Sequence, residues 1–200
     1  MNTREKIRNK ALEMFNERGI EYVGLREIAA GLNIRVGNLT YYFPTKDDLV
    51  SELALELSKA NAAAFAAAFE PTPAGFLQLL RTVYTNHIRF RCLVISVVHL
   101  MSQNTVLAAN YRKNRSLRST GIERRLKQLA EDGYLKFPDS DALNTLIDTI
   151  SLISRFWVSD AAVIQPSMAH AQQLEHYLSI VAGLLKSFAT AKGARALENS

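Results

Sequence analysis

Residues 24–49 read GLREIAAGLNIRVGNLTYYFPTKDDL, and this stretch decides the fold. Leu25, Ile28, Ala29 and Leu32 recur at helical spacing, which predicts a short helix from about Leu25 to Leu32. Gly24 stands at its N-cap position. Asn33 follows, and Asn tolerates the left-handed backbone that a sharp turn needs. A second short helix is predicted over about Val36 to Tyr42, with Leu39 and Phe43 turned inward and Pro44 ending it. Its other face is small and polar, carrying Gly37, Asn38, Thr40, Tyr41 and Tyr42. Thr45, with Asp48 three residues on, forms a capping box for a longer helix. Asp47 and Asp48 suit the positive end of that helix's dipole. Two short helices joined by a tight turn, with a polar outer face on the second, suit insertion into the major groove of duplex DNA. The pattern points to a DNA-binding regulator rather than an enzyme.

Working outward, helical periodicity continues in both directions, and no convincing alternating strand is present. A first helix is predicted from Thr3 to Arg18, with Ile7, Ala11, Met14 and Phe15 on its apolar face. Asn2 and Thr3 are N-cap candidates and Gly19 is the stop. The helix beginning at Lys46 is predicted to reach about Phe69, with Phe65 and Phe69 as anchors in the alanine-rich run ANAAAFAAAF. Pro71 and Pro73 break the chain. Further helices are expected over Ala74–Phe90, Cys92–Gln103, Tyr111–Glu131, Asp141–Val163 and Ser167–Ala191, punctuated at Gly133, Pro138 and Pro166. The expected fold is all-α. A three-helix helix-turn-helix unit covers residues 1–49, with the helix from about Lys46 as connector. A larger helical unit covers 50–191, and 192–200 is a frayed tail.

The chain has 200 residues, 48% of them hydrophobic, enough for a sizeable core. Its formal charge is +5, which permits nucleic acid as a partner. Residues 1–50 carry eight Lys/Arg against seven Asp/Glu, so any DNA footprint there must come from local placement. Cys92 is the single cysteine, which excludes an intramolecular disulfide and fits a cytoplasmic location. The segment MNTREKIRNK lacks the apolar core of a signal peptide. No apolar run approaches the ~18 residues that span a bilayer, so no membrane partner is expected. There is no glycine-rich phosphate loop after a strand, no HExxH and no recognisable nucleophile–base pair, so neither an enzyme nor a cofactor is expected. His87, Cys92 and His99 are close in sequence, but the step from His87 to Cys92 puts them on different helix faces, and no metal site is expected. The alternatives are a metal-responsive sensor and a helical ligand-binding or interaction protein that does not touch DNA.

Residues 3–50 resemble the N-terminal domain of TetR-family transcriptional regulators. The resemblance is carried by a first helix ending at Gly19, then Leu25-Arg26-Glu27-Ile28-Ala29, Gly37-Asn38-Leu39, Tyr41-Tyr42-Phe43 and Lys46-Asp47-Asp48-Leu49. Its motifs cover about a quarter of the chain. Gly24, Asn33, Arg35 and Thr40 stand where Thr, Gly, Ser and an aromatic residue are usual, and Tyr42 stands where His is common. The resemblance implies that Tyr41 and Tyr42 give hydroxyls to phosphates, with Arg26 and Lys46 adding charge. Lys46 stands beside the unpaired N–H groups of a helix start. Asn38 suits a bidentate contact with adenine and Thr40 a thymine methyl. Gly37 permits close approach beside Val36, and Arg35 suits guanine or phosphate.

The resemblance further implies a ligand-responsive repressor that binds a palindromic operator as a homodimer. The two last long helices are the expected dimer seam. Leu143, Ile147, Ile150, Ile153, Phe156 and Trp157 make one apolar face, and Leu174, Leu178, Val181, Leu185 and Phe188 another; an intramolecular core competes for the same positions. For an unidentified small-molecule effector, the pocket candidates are Tyr84, His87, Phe90, His99, Tyr111 and Trp157. Residues 81–127 hold ten Lys/Arg against one acid, Glu123. This stretch reads as a solvated face, as a site for an anionic ligand, or as extra attraction to flanking DNA.

Overall fold

The computed structural model describes residues 2–198, apart from the side chains of Asn114, Arg115 and Leu117. Eleven helices form among the described residues: α1 Thr3–Arg18, α2 Leu25–Gly31, α3 Val36–Tyr42, α4 Lys46–Ala66, α5 Pro73–Arg89, α6 Arg91–Ile95, α7 Val97–Gln103, α8 Thr105–Glu131, α9 Ser140–Ile164, α10 His170–Lys186 and α11 Ala191–Glu198. Extended pairing among them is confined to an isolated antiparallel bridge between Leu135 and Ala189. None of these helices is long and apolar enough to cross a membrane.

The N-terminal helices start and stop where their capping chemistry lies. Asn2 Oδ1 accepts from Glu5 N at 2.9 Å, and Glu5 Oε2 accepts from Asn2 N at 3.0 Å. Two orphan donors are thus satisfied reciprocally. Gly19 ends α1 with φ at 89°, where a side chain would be strained. Thr45 Oγ1 accepts from Asp48 N at 3.1 Å, and Asp48 Oδ2 accepts from Thr45 N at 2.9 Å, which starts α4. Asn33 takes φ 54° in the turn between α2 and α3.

Two apolar clusters organise the molecule. The first gathers Ile7, Phe15, Ile28, Leu39, Phe43, Leu49 and Leu53 from α1–α4. It is completed by Phe90, Cys92 and Leu93 from the α5–α6 junction. The second gathers Phe76, Tyr84, Leu126, Ile150, Trp157 and Val181 from α5, α8, α9 and α10. Polar ties reinforce the shared boundary. Asn16 Nδ2 donates to Arg89 O at 2.8 Å, and Asn16 Oδ1 accepts from Cys92 N at 3.0 Å. Arg8 and Arg89 both pair with Glu56, at 2.9 and 2.8 Å, and Arg4 pairs with Glu52 at 3.0 Å.

Several elements differ from the sequence expectation. The expected helix over Cys92–Gln103 is two helices, interrupted at Ser96 (φ −83°, ψ 11°) without help from Gly or Pro. α4 stops at Ala66, short of Phe69. There Arg125 Nη2 donates to Phe65 O at 2.6 Å, and its guanidinium lies over the Phe65 and Phe69 rings at 5.2 and 5.0 Å. α8 begins at Thr105, ahead of Tyr111, because Asn104 Oδ1 caps it by accepting from Leu107 N at 2.9 Å. The last long helix ends at Lys186, and the expected frayed tail is instead α11. Thr190 Oγ1 accepts from Gly193 N at 3.1 Å at its start. Gly193 lies so near Tyr134 that a Cβ there would stand 2.0 Å from the Tyr134 carbonyl oxygen. Lys192 Nζ donates to Asp132 O at 2.8 Å and lies over the Tyr134 ring.

Candidate nucleic-acid interface and the cavity behind it

α3 is held from one side. Leu39 and Phe43 are buried in the first cluster, so the opposite face turns outward. Val36, Gly37, Asn38, Tyr41 and Tyr42 are exposed, and Thr40 is half-buried with its Oγ1 donating to Gly37 O at 3.3 Å. Tyr41 is 81% exposed. Its ring stands edge-on to that of Tyr42 at 5.1 Å. Space beside Gly37 is open, with nothing within 4 Å of where a Cβ would stand.

Cationic groups flank this face. Arg35 occupies the extended N-cap position of α3 and is exposed, as is Arg26 on α2. Lys46, at the first turn of α4, donates to Glu21 O at 3.4 Å, and its charge is felt by Glu27 at the start of α2. Glu27 accepts from Gly24 N at 2.9 Å and from Arg18 at 2.7 Å, and these bonds hold its carboxyl below the usual carboxylate range. The outer face of α3 is therefore uncharged but polar, with Arg26, Arg35 and Lys46 on the elements beside it.

Behind this unit lies a cavity of about 430 Å³ walled by α4 to α9. Of the six residues expected to line a pocket, His87 and Tyr111 do so. Tyr84 and Trp157 are fully buried in the second cluster instead, stacked on each other at 5.0 Å. Phe90 belongs to the first cluster, and His99 is exposed. These four are corrections: for the three aromatics, helical period marks a side chain as inward without saying which packed surface it meets, whereas His99 turns to solvent. Tyr84 and Trp157 still support the wall from behind. The Tyr84 hydroxyl bonds Ser154 Oγ at 3.0 Å, and Trp157 Nε1 donates to His87 Nδ1 at 3.3 Å. His87 Nε2 lies 3.3 Å from Asn61 Nδ2, and Asn86 Nδ2 donates to Asn61 Oδ1 at 3.1 Å. Burial, with a smaller push from the Arg118 charge, lowers the His87 pKa to about 3. The indole N–H aimed at Nδ1 acts in the same sense, because a protonated ring has no acceptor to offer it. Asn61, Ser154, Lys113, Arg118 and Arg155 also line the cavity. Sequence reading did not single these out for a pocket, although Lys113 and Arg118 lie in the basic stretch it marked.

That basic stretch divides by use. Arg81 pairs with Glu175, Arg89 with Glu56 and Lys127 with Glu123. Arg125 is 3% exposed and closes the end of α4. Lys113 and Arg118 turn to the cavity, with the Arg118 guanidinium over the Tyr111 ring at 5.4 Å. Arg115 has a side chain outside the described residues. The trio weighed for a metal is not brought together: His87 lies in the cavity wall, Cys92 in the first cluster and His99 at the surface. Burial pushes the Cys92 thiol up to about 12. Among the described residues no group of three or more His, Cys, Asp or Glu is arranged to hold a metal ion.

The expected dimer seam also needs correction. Ile147, Ile150, Trp157, Leu174, Leu178, Val181 and Leu185 are buried in the chain's own second cluster, because α6 and α8 pack on α9 and α5 packs on α10. Leu143, Ile153 and Phe188 are half-buried against the same cluster. Phe156 is half-buried, with the Arg155 guanidinium over its ring. The large apolar residues left outward on these two helices are Leu152, Val163, Ile164 and Ile180.

A three-helix reading head on a larger helical body with an internal cavity defines a helix-turn-helix DNA-binding protein. Comparisons with known proteins agree. Residues 7–53 match the bacterial regulatory proteins of the tetR family, and residues 57–197 match TetR, described as a bacterial transcriptional repressor. A probable HTH-type transcriptional regulator of Bacillus subtilis, YttP, is 34% identical over 56 residues, which is 28% of this chain and 27% of that protein. The whole chain superposes on a TetR-family transcriptional regulator from Marinobacter aquaeolei with TM-score 0.89 at 23% identity, covering 97% of that chain. A bacterial regulatory protein of the tetR family from Rhodococcus gives TM-score 0.71 at 22% identity, over 96% of this chain and all of that one. The chain belongs to the TetR family and is a DNA-binding transcriptional repressor.

Proposed function

We propose that this repressor reads an inverted-repeat operator as a homodimer and releases it when a small molecule occupies the cavity. Residues 1–49 form the reading head and 50–191 the sensing and dimerising body. The observation that carries this reading is the outer face of α3, polar and exposed, with cations on the neighbouring elements. Asn38 and Thr40 suit base edges, Gly37 and Val36 the close approach, and Arg35 either guanine or phosphate. Tyr41, Tyr42, Arg26 and Lys46 suit phosphates, which set register without reading sequence. Ser51, Ala54, Leu55 and Ser58 of α4 line the cavity, and α4 begins at Lys46 beside the reading face. One helix thus touches both sites, which supports coupling between them. Leu152, Phe156 and Val163 recur on one stripe of α9, and with Ile180 of α10 they support a two-fold interface.

The test is selection of DNA by the purified chain from a random duplex pool, at low and moderate salt. The expected product is an inverted repeat whose half-sites lie roughly 34–36 Å apart or a multiple of that. Failure to enrich any sequence, both alone and with a cellular small-molecule extract, would sink the reading.

A further inference from the structure

We propose that the closed end of the cavity receives the carbonyl oxygen of an uncharged, largely apolar molecule, a ketone, ester or amide, held by Asn61 of α4 beside His87 of α5. The inference rests on the reading of the cavity as the effector site and adds the chemical class of its occupant.

The cavity has two ends. Leu55, Val106 and Lys113 line it and are exposed, so they mark its mouth. Leu80, Val83 and Ile122 line it and are buried, so they mark its closed end. Such hydrocarbon rewards an apolar body, and about 430 Å³ suits a small organic molecule. The polar side chains among the buried lining residues are Asn61 and His87, at 5% and 9% exposure. Both are uncharged, since burial keeps the His87 ring neutral.

Their hydrogens leave a donor over. An indole N–H only donates, so the bond from Trp157 Nε1 makes Nδ1 the acceptor of the His87 ring. A neutral ring then carries its proton on Nε2, which lies 3.3 Å from Asn61 Nδ2. With the amide that way round, donors face each other and the N–H groups of both residues lack an acceptor. Turned over, Asn61 accepts from Nε2 through Oδ1 and gives one N–H to Asn86, whose amide turns in the same way. The second N–H of Asn61 is still left over. Either way a buried donor in the cavity wall lacks its acceptor, which is costly. A carbonyl oxygen supplies one and brings no donor of its own. A hydroxyl serves less well, because its own proton then needs an acceptor in turn. An ammonium would bring further donors and a charge to a cavity without Asp or Glu among its described lining residues. A carboxylate would leave its charge unpaired against neutral groups at the buried end.

The experiment titrates the purified full chain by calorimetry with nonan-2-one, nonan-2-ol, nonan-2-amine and nonanoate. These probes share a chain length and differ in the polar group. The ketone is expected to bind one per chain, at least about fivefold more tightly than the alcohol and about tenfold more tightly than either charged probe. Infrared spectra of the ketone with an isotope-labelled carbonyl should show its stretch at lower frequency when bound than in hexane, as for an oxygen that accepts an N–H. In Asn61→Leu the preference over the alcohol should fall to about twofold or less, and the stretch should return toward its hexane position. Should that variant not fold, Asn61→Ala is expected to give the same two changes. The proposal is overturned if the ketone does not bind, or if the alcohol, the amine or nonanoate binds as tightly. A bound stretch at its hexane position overturns it too, as do preference and stretch that are unchanged in the folded variant. Affinity for the selected operator is measured in parallel. Ketone that binds as expected without changing operator affinity would sink the effector reading and leave the carbonyl assignment standing. A charged probe that releases operator while the ketone does not bind would do the reverse.

Discussion

On the proposed reading Asn38 and Lys46 make different kinds of contact with DNA, and each leaves its own experimental mark. Asn38→Ala should cost about 1–3 kcal/mol on the selected operator and little on random duplex, because a bidentate base contact discriminates. Lys46→Ala should weaken both alike and reduce the slope of log affinity against log salt by about one, as expected for one phosphate contact. Equal losses on both duplexes in Asn38→Ala would remove it from base reading. His87 offers a test of the cavity wall. Its folded pKa, about 3, lies below the ordinary histidine value, so the unfolded chain binds the extra proton first. Stability from this group is full above about pH 6.5 and falls as pH drops toward 3. The fall should be shallower in His87→Gln, by up to about 1.4 kcal/mol per pH unit, read from urea unfolding between pH 7 and 5. At this scale the exposure of the outer face of α3 was legible, since polar residues opposite Leu39 and Phe43 on so short a helix have nowhere to go but out. The partners of His87 were not, because Asn61 and Trp157 stand 26 and 70 positions away in sequence.

Elements announced themselves in proportion to how local their causes are. α1 and α3 run over the residues their capping and anchor patterns specify, and the Thr45–Asp48 box opens α4 as expected. Thr45→Ala should therefore lower stability by about 1 kcal/mol, seen in thermal melts. The break at Ser96 and the helix α11 carry no such local mark. Ser96 leaves the helical backbone (ψ 11°) with neither Gly nor Pro to announce it, and α11 depends on Tyr134 far back in the chain. Gly193 is the residue on which α11 docks. A Cβ there would strike a carbonyl oxygen that belongs to backbone and cannot swing aside. Gly193→Ala should raise amide exchange across residues 191–198 and leave α3 unchanged. Unaltered protection of that segment would show that the backbone shifts to absorb the methyl.

For the whole molecule, the sequence told how apolar α9 and α10 are but not whose surface covers them. The strongest stripe, from Ile147 to Leu185, went to the chain's own core, and the weaker one, with Leu152 and Val163, was left outside. Sedimentation should show Leu152→Glu/Val163→Glu as a folded monomer with operator affinity reduced at least about tenfold, since one head reads one half-site. A dimer of unchanged stability would move the interface elsewhere. One property of the assembled chain bears on how such regulators are built. Phe90, Cys92 and Leu93 belong to the body by sequence yet complete the packing of the head. The two parts are consequently not interchangeable modules. A chimera that takes residues 1–56 from this chain and the remainder from a distant relative would set the head on unfamiliar side chains. Grafting residues 89–93 along with the head should restore it, so a transferable sensor in this scaffold is discontinuous in sequence.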